Sequence, residues 1–208
     1  DQLLRNVLPE SIADRLKEGE QYIAERYSGV SIIFVDIVGF TELSSKLKPS
    51  NLVSILDSIF RQFDLICERF GAEKIKTIGD GYMAATGVPE ADSDHAANAA
   101  RTALAFCESL ENSGERLGVD LTIRVGVHTG TVVAGVIGEK KFIYDLWGDT
   151  VNVASRMESH GEVGRVHVSK ELRDLLGSRF SCEDRGEIEV KGKGPMQTFF
   201  LVQENAGP

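Results

Sequence analysis

The 208 residues, 42% apolar and 26% charged, have the makeup of one large globular domain or one domain with an extension, long enough to bury a core without staples. Acidic side chains outnumber basic ones 32 to 23, and the resulting net charge of −9 argues against a general nucleic-acid binder or a polybasic membrane binder. Cys67, Cys107 and Cys182 are odd in number and widely spaced, so they read as reduced packing residues of a cytosolic protein, without zinc-site spacing. The stretch has no apolar run near the roughly 18 residues of a membrane span and no signal-peptide pattern.

Along the chain, Leu4, Leu8, Ile12 and Leu16 recur every four residues, and Pro9 is able to begin a helix, so residues 1–20 read as a helical lead-in. It either packs on its own domain or pairs with a second copy or an upstream segment. Ser31 to Val35 is a buried central strand that stops at Asp36. Leu52, Ile55, Leu56, Ile59, Phe63, Ile66 and Phe70 have helical spacing, closed by Gly71. Glu73 to Ile78 alternates as a strand, Gly79-Asp80-Gly81 turns, and Tyr82 to Ala85 returns. Asp94 is a plausible cap for a helix bearing Ala96, Ala100, Ala103, Cys107 and Leu110. Two strands, Leu121 to Val127 and Val132 to Ile137, are expected around a Thr129-Gly130 join, then a helix over 148–159 and several short elements. Hairpins mixed with crossovers predict an α+β domain, a mixed sheet with helices on one face.

Several polar residues stand out against this pattern. Asp36 abuts an apolar strand, where a carboxylate needs a partner; it caps the next helix or binds a hard cation. Asp80 is ordinary hairpin chemistry taken alone, but beside Asp36 it makes a carboxylate pair able to hold two Mg²⁺. The turn Ile37 to Thr41 offers backbone N–H groups to phosphate. Lys74 and Lys76 share one strand face, either as solvated lysines or as ligand contacts. Asn152 and Arg156, four apart, share a helix face, as a polar surface or as a pair aimed at phosphate. Arg124 on an apolar strand and Lys191 in Lys-Gly-Lys-Gly are further phosphate candidates, and Asp145 precedes the Asn/Arg helix. Composition and spacing reach a Mg²⁺-dependent nucleotide site and do not reveal the reaction.

Four motifs in order, Phe34 to Thr41, Lys74 to Met83, Arg124 to Gly130 and Trp147 to Met157, resemble the catalytic domain of class III nucleotidyl cyclases, over about residues 28–203. The subgroup most similar holds the mammalian membrane cyclases and their mycobacterial relatives. The resemblance implies a ferredoxin-like mixed sheet with helices packed on it, an N-terminal connector over 1–27 and a catalytic domain over 28–208. It implies an adenylyl cyclase that acts as a head-to-tail homodimer. Asp36, Asp80 and the Ile37 carbonyl would bind two Mg²⁺ or Mn²⁺, while Phe40, Thr41, Arg124 and Lys191 hold the triphosphate. Asn152 would orient the ribose, Arg156 would stabilise charge at the α-phosphate, and Lys76 and Asp145 would read the purine. Family geometry puts Lys76, Asp145, Asn152, Arg156 and Lys191 in one subunit and the metal aspartates in the other. The 3′-hydroxyl attacks the α-phosphorus with loss of pyrophosphate, and Asp36 or water takes the proton.

Lys76 can donate to adenine N1 and Asp145 can accept from the 6-amino group, whereas guanine reverses both, so ATP is the expected substrate. Guanylate-specific relatives resemble Glu at the lysine and a small residue at the aspartate. Three readings compete: a nucleotide-binding module without turnover, a guanylyl cyclase, and half of a heterodimer. The segment Leu3 to Pro9 resembles the connector that joins such domains to a sensor or membrane segment, so a cytoplasmic domain is expected, with a membrane-anchored parent as one option.

Overall fold

The computed structural model describes residues 2–111, 118–138 and 141–206; the first residue of the expected connector and the last two of the catalytic segment lie outside these. The chain runs through α1 (Gln2–Arg5) and α2 (Glu10–Lys17) into β1 (Ala24–Val38), α3 (Phe40–Lys46) and α4 (Pro49–Phe70). The hairpin β2 (Glu73–Ile78) and β3 (Gly81–Thr86) leads to α5 (His95–Glu111), β4 (Thr122–Ile137), β5 (Ile143–Trp147) and α6 (Asp149–Ser159). The chain then forms β6 (Val166–Ser169), α7 (Lys170–Leu176), β7 (Phe180–Val190) and β8 (Gly194–Glu204). Among the described residues the strands make one eight-stranded sheet in the order β2-β3-β1-β4-β6-β8-β7, with β5 paired to β4. The β4–β6 pairing is parallel and the other pairings are antiparallel, so the expected mixed α+β sheet is present.

The apolar run predicted as a central strand sits between β3 and β4, and its alternate residues build two cores. Ile33, Val35 and Ile37 point to a cluster with Phe63 of α4 and Phe106 of α5. The ring centroids of Phe63 and Phe106 are 4.4 Å apart, and Tyr82 meets Phe63 edge-on at 5.4 Å. Small side chains at Ala96, Ala99, Ala100 and Ala103 let α5 lie close on the sheet. Val30 and Ile32 point the other way, to Leu8, Ile12, Met83 and Ala154.

Helices therefore cover both faces, not the one expected: α4 and α5 on the first, α2 and α6 on the second. The lead-in is broken, with α2 starting after Pro9, and Leu8 and Ile12 are buried against their own domain. β1 does not stop at Asp36 but continues to Val38, because β4 goes on supplying partners there, Ile123 and Thr122, after the pairing with β3 has ended at Gly81. The expected join at Thr129-Gly130 is absent, since β4 is one strand of 16 residues. Gly130 serves close packing rather than a turn, as a Cβ there would lie 2.6 Å from Thr150 Oγ1. Asp94 does precede α5, but its carboxylate accepts from Arg179 and Arg101.

Glu73 opens β2, and burial with no compensating cation pushes its carboxyl up to about 7. The folded state thus holds a proton that the unfolded chain, titrating at 4.5, has released. Its stabilisation is full below pH 4.5 and is lost as pH rises through about 7, amounting to at most about 3 kcal/mol. The thermal midpoint is expected to fall between about pH 5 and pH 8, and Glu73→Gln to flatten that fall. Parallel pH profiles for the two proteins would assign the titration elsewhere.

Candidate active site

Asp36 lies on β1 opposite Gly81 of β3 on one side and Arg124 of β4 on the other. Asp80 occupies the β2–β3 turn, one residue before Gly81, so the register itself sets the two carboxylates side by side. The turn needs its glycines: Gly79 has φ +62°, and a Cβ on Gly81 would meet the Ile78 carbonyl at 3.1 Å. Burial first, and then the charge of Asp36, push the Asp80 carboxyl upward. Asp36 caps no helix, since α3 is capped by Gly39 in a left-handed conformation without a side-chain bond. Its carboxylate accepts from Arg124 Nη2 at 3.0 Å. Phe40 and Thr41 open α3 directly beyond, in the first turn whose N–H groups lack helical partners.

Two crowded carboxylates make a hard oxygen pair of the kind that fits Mg²⁺ or Mn²⁺, and Ile37 follows Asp36 on the same strand. Among the described residues no three His, Cys, Asp or Glu side chains gather to cage an ion. An ion at this pair therefore takes the rest of its shell from water or phosphate, as Mg²⁺ commonly does.

A second group forms at the sheet edge. Lys76 Nζ donates to Asp145 Oδ2 at 2.6 Å, and Asp145 Oδ1 accepts from the Leu146 amide at 2.8 Å. Lys74 does not join them: the β2–β3 register shifts at Ile75, and Lys74 instead pairs with Asp64 of α4 at 2.8 Å. The expected shared face is therefore corrected by one extra strand residue. Asp145 belongs to β5, an edge strand that sequence periodicity missed. On the same strand face, the pairs Val133–Trp147 and Ile137–Ile143 flank it, and all four side chains are exposed. An apolar strip of that kind marks an interaction surface.

Asn152 and Arg156 stand exposed on α6, and Lys191 is exposed in the β7–β8 turn beside Lys193, which pairs with Asp149 at 2.5 Å. Among the described residues neither Asn152 nor Arg156 forms an ion pair or side-chain hydrogen bond with Asp36 or Asp80. One chain thus joins Asp36, Asp80 and Arg124 in one group and Lys76 and Asp145 in another, and leaves Asn152, Arg156 and Lys191 outside both. Sequence reasoning overlooked Glu158, whose carboxylate lies 3.2 Å from Arg124 Nε. The only available signal was its place two residues after Arg156 in the same helix.

A mixed sheet bearing a carboxylate pair at one strand junction and a lysine–aspartate pair at its edge defines a cyclase-type catalytic domain. The family model for the adenylate and guanylate cyclase catalytic domain matches residues 22–203, and the chain belongs to that family. An adenylate cyclase of Mycobacterium tuberculosis is 47% identical over 201 residues, covering 96% of this chain and 45% of that protein. Atrial natriuretic peptide receptor 2 of Homo sapiens is 44% identical over 211 residues, 99% of this chain and 20% of the receptor. The guanylate cyclase domain of RhGC from Catenaria anguillulae, solved in complex with GTP, superposes with a TM-score of 0.84 at 36% identity, covering 87% of this chain and 100% of that one. The chain spans less than half the length of these curated relatives. No described helix is long and apolar enough to cross a membrane.

Proposed function

We propose that this domain is an adenylyl cyclase converting ATP to 3′,5′-cyclic AMP and pyrophosphate at sites shared across a homodimer. The observation that carries the base assignment is the Lys76–Asp145 pair. Lys76 keeps N–H donors for adenine N1, and the Asp145 oxygens keep lone pairs for the 6-amino group. Guanine would set N–H against ammonium and carbonyl against carboxylate. Overall similarity does not choose the base, because adenylate- and guanylate-named relatives match at 47% and 43% identity.

The shared site rests on the division of residues within one chain. The pair that reads the base lies within an exposed apolar strip, which a second copy would cover. Asp36 and Asp80 of one subunit, with the Ile37 carbonyl, hold two Mg²⁺ or Mn²⁺. Phe40, Thr41 and Arg124 of the same subunit and Lys191 of the other bind the triphosphate. Asn152 orients the ribose so that its 3′-hydroxyl lies in line with the α-phosphorus, and Arg156 clamps the charge that grows there. The chemistry the bound ions supply is a lowered pKa for the 3′-hydroxyl and neutralised phosphate charge. Of residues 1–27, those ahead of β1 act as a connector, since Ala24 to Tyr27 already pair with β4, and the domain works in the cytoplasm, where that connector could join it to a sensor or membrane segment.

The test is turnover by the purified chain over a protein-concentration series, with ATP or GTP and Mg²⁺ or Mn²⁺. Cyclic AMP from ATP, with specific activity rising as dimer forms, is the expected result. No product from either nucleotide at concentrations where dimer is present would leave a binding module.

A further inference from the structure

We propose that Glu158 is a positioning residue for the triphosphate, holding the Arg124 guanidinium by its Nε side so that its terminal nitrogens face the Asp36–Asp80 junction. The inference rests on the triphosphate reading of Arg124 given above. Arg124 lies between two carboxylates: Nη2 donates to Asp36 at 3.0 Å, and Nε faces Glu158 Oε1 at 3.2 Å. Both Nε and Oε1 are buried and neither forms a hydrogen bond, so their 3.2 Å contact is a sheltered ion pair, in which each charge offsets the other. The Glu158 side chain is 14% exposed, against 32% for Arg124 and 31% for Asp36, so the Glu158 end of the bridge is the sheltered one.

A separate packing feature aims Glu158 at this place. α6 ends pressed onto Gly126, where a Cβ would lie 1.9 Å from the Glu158 nitrogen and 2.5 Å from its Cα. Gly126 is two residues from Arg124 on the same face of β4, and this contact sets the Glu158 backbone beside the guanidinium. Burial pushes the Glu158 carboxyl up, Arg124 opposes this, and the nearby charges of Asp36 and Asp80 add to the upward push. Without nucleotide, one guanidinium thus lies between two carboxylates, Asp36 and Glu158, with Asp80 close enough to Asp36 to feel its charge. When a triphosphate arrives, the terminal nitrogens exchange Asp36 for phosphate oxygens, while the hold on Nε keeps the arginine from swinging into solvent. The Glu158 backbone also belongs to the helix that carries Asn152 and Arg156, but its side chain serves the metal-aspartate half of the site.

The experiment compares wild type, Glu158→Gln, Arg124→Ala and the double variant by steady-state kinetics with ATP, and by equilibrium binding of a non-hydrolysable ATP analogue with Mn²⁺. Glu158→Gln is isosteric and keeps the Gly126 contact. It is expected to raise KM and weaken analogue binding about tenfold while kcat changes less than about threefold. Arg124→Ala is expected to weaken binding at least as much, and the double variant to be no worse than Arg124→Ala alone. Additive losses, or Glu158→Gln with wild-type KM beside an impaired Arg124→Ala, would overturn the positioning role. An Arg124→Ala protein with wild-type KM and analogue affinity would instead overturn the triphosphate reading, and this inference with it. Arg124→Lys keeps the charge and lacks Nε; its KM is expected to be insensitive to Glu158→Gln, and sensitivity there would also count against the proposal.

Discussion

Chains carrying Asp36→Ala and chains carrying Asn152→Ala, each inactive alone, are expected to regain turnover when mixed. Asp36 belongs to the carboxylate junction between β1, β3 and β4, whereas Asn152 stands exposed on α6 with no bond to that junction. In a head-to-tail dimer each site takes Asp36 from one subunit and Asn152 from the other. Each substitution alone damages both sites of its homodimer, with an expected loss of about 10²-fold or more. A heterodimer of the two concentrates both defects in one site and leaves the other intact. Random pairing of equal amounts makes half the dimers mixed, with one good site of two, so the mixture should reach about a quarter of wild-type activity. Absence of recovery in a mixture shown to exchange subunits would place all the chemistry within one chain.

The second large effect is on the base. Lys76→Glu combined with Asp145→Ser replaces the donor with an acceptor and the acceptor with a hydroxyl donor. That arrangement matches guanine N1–H and O6 and opposes adenine. The ratio of kcat/KM for ATP over GTP is expected to fall by about 10²-fold or more. The single changes are expected to be worse for ATP without a matching gain for GTP. Each breaks the 2.6 Å ion pair and leaves the other member, Lys76 or the Asp145 carboxylate that is 13% exposed, without its counter-charge. A wild-type protein that prefers GTP, or a double variant that keeps the ATP preference, would refute the roles assigned to these two side chains.

What could be read in the chain without coordinates depended on how local the signal was. Strand β2, its turn and β3 were legible because alternation and two glycines act within a few residues. Helix α4 was legible from its apolar spacing and from Gly71, whose φ of +68° ends it. Strand β5 was not, because five residues at a sheet edge carry little periodicity of their own. The supposed join at Gly130 misled because a glycine demanded by the approach of Thr150 looks, in sequence, like a glycine demanded by a turn. The two lysines of β2 were placed on one face because alternation assumes an unbroken ladder, and the register shift at Ile75 breaks it.

The site divides in the same way. The amino-acid sequence alone determined which residue types are present: two aspartates at a strand and a turn, an Asn/Arg pair one helical turn apart, a lysine and an aspartate separated by 69 positions. Only the tertiary structure decided which of them meet. Pairing of β1 with β3 brings Asp36 beside Asp80, pairing with β4 brings Arg124 onto Asp36, and the β2–β5 edge brings Lys76 onto Asp145. Glu158 became visible only when α6 was seated on Gly126. Residue identity and local period are properties of neighbours along the chain, while these juxtapositions depend on sheet order and register, which hydrogen bonds between distant segments set.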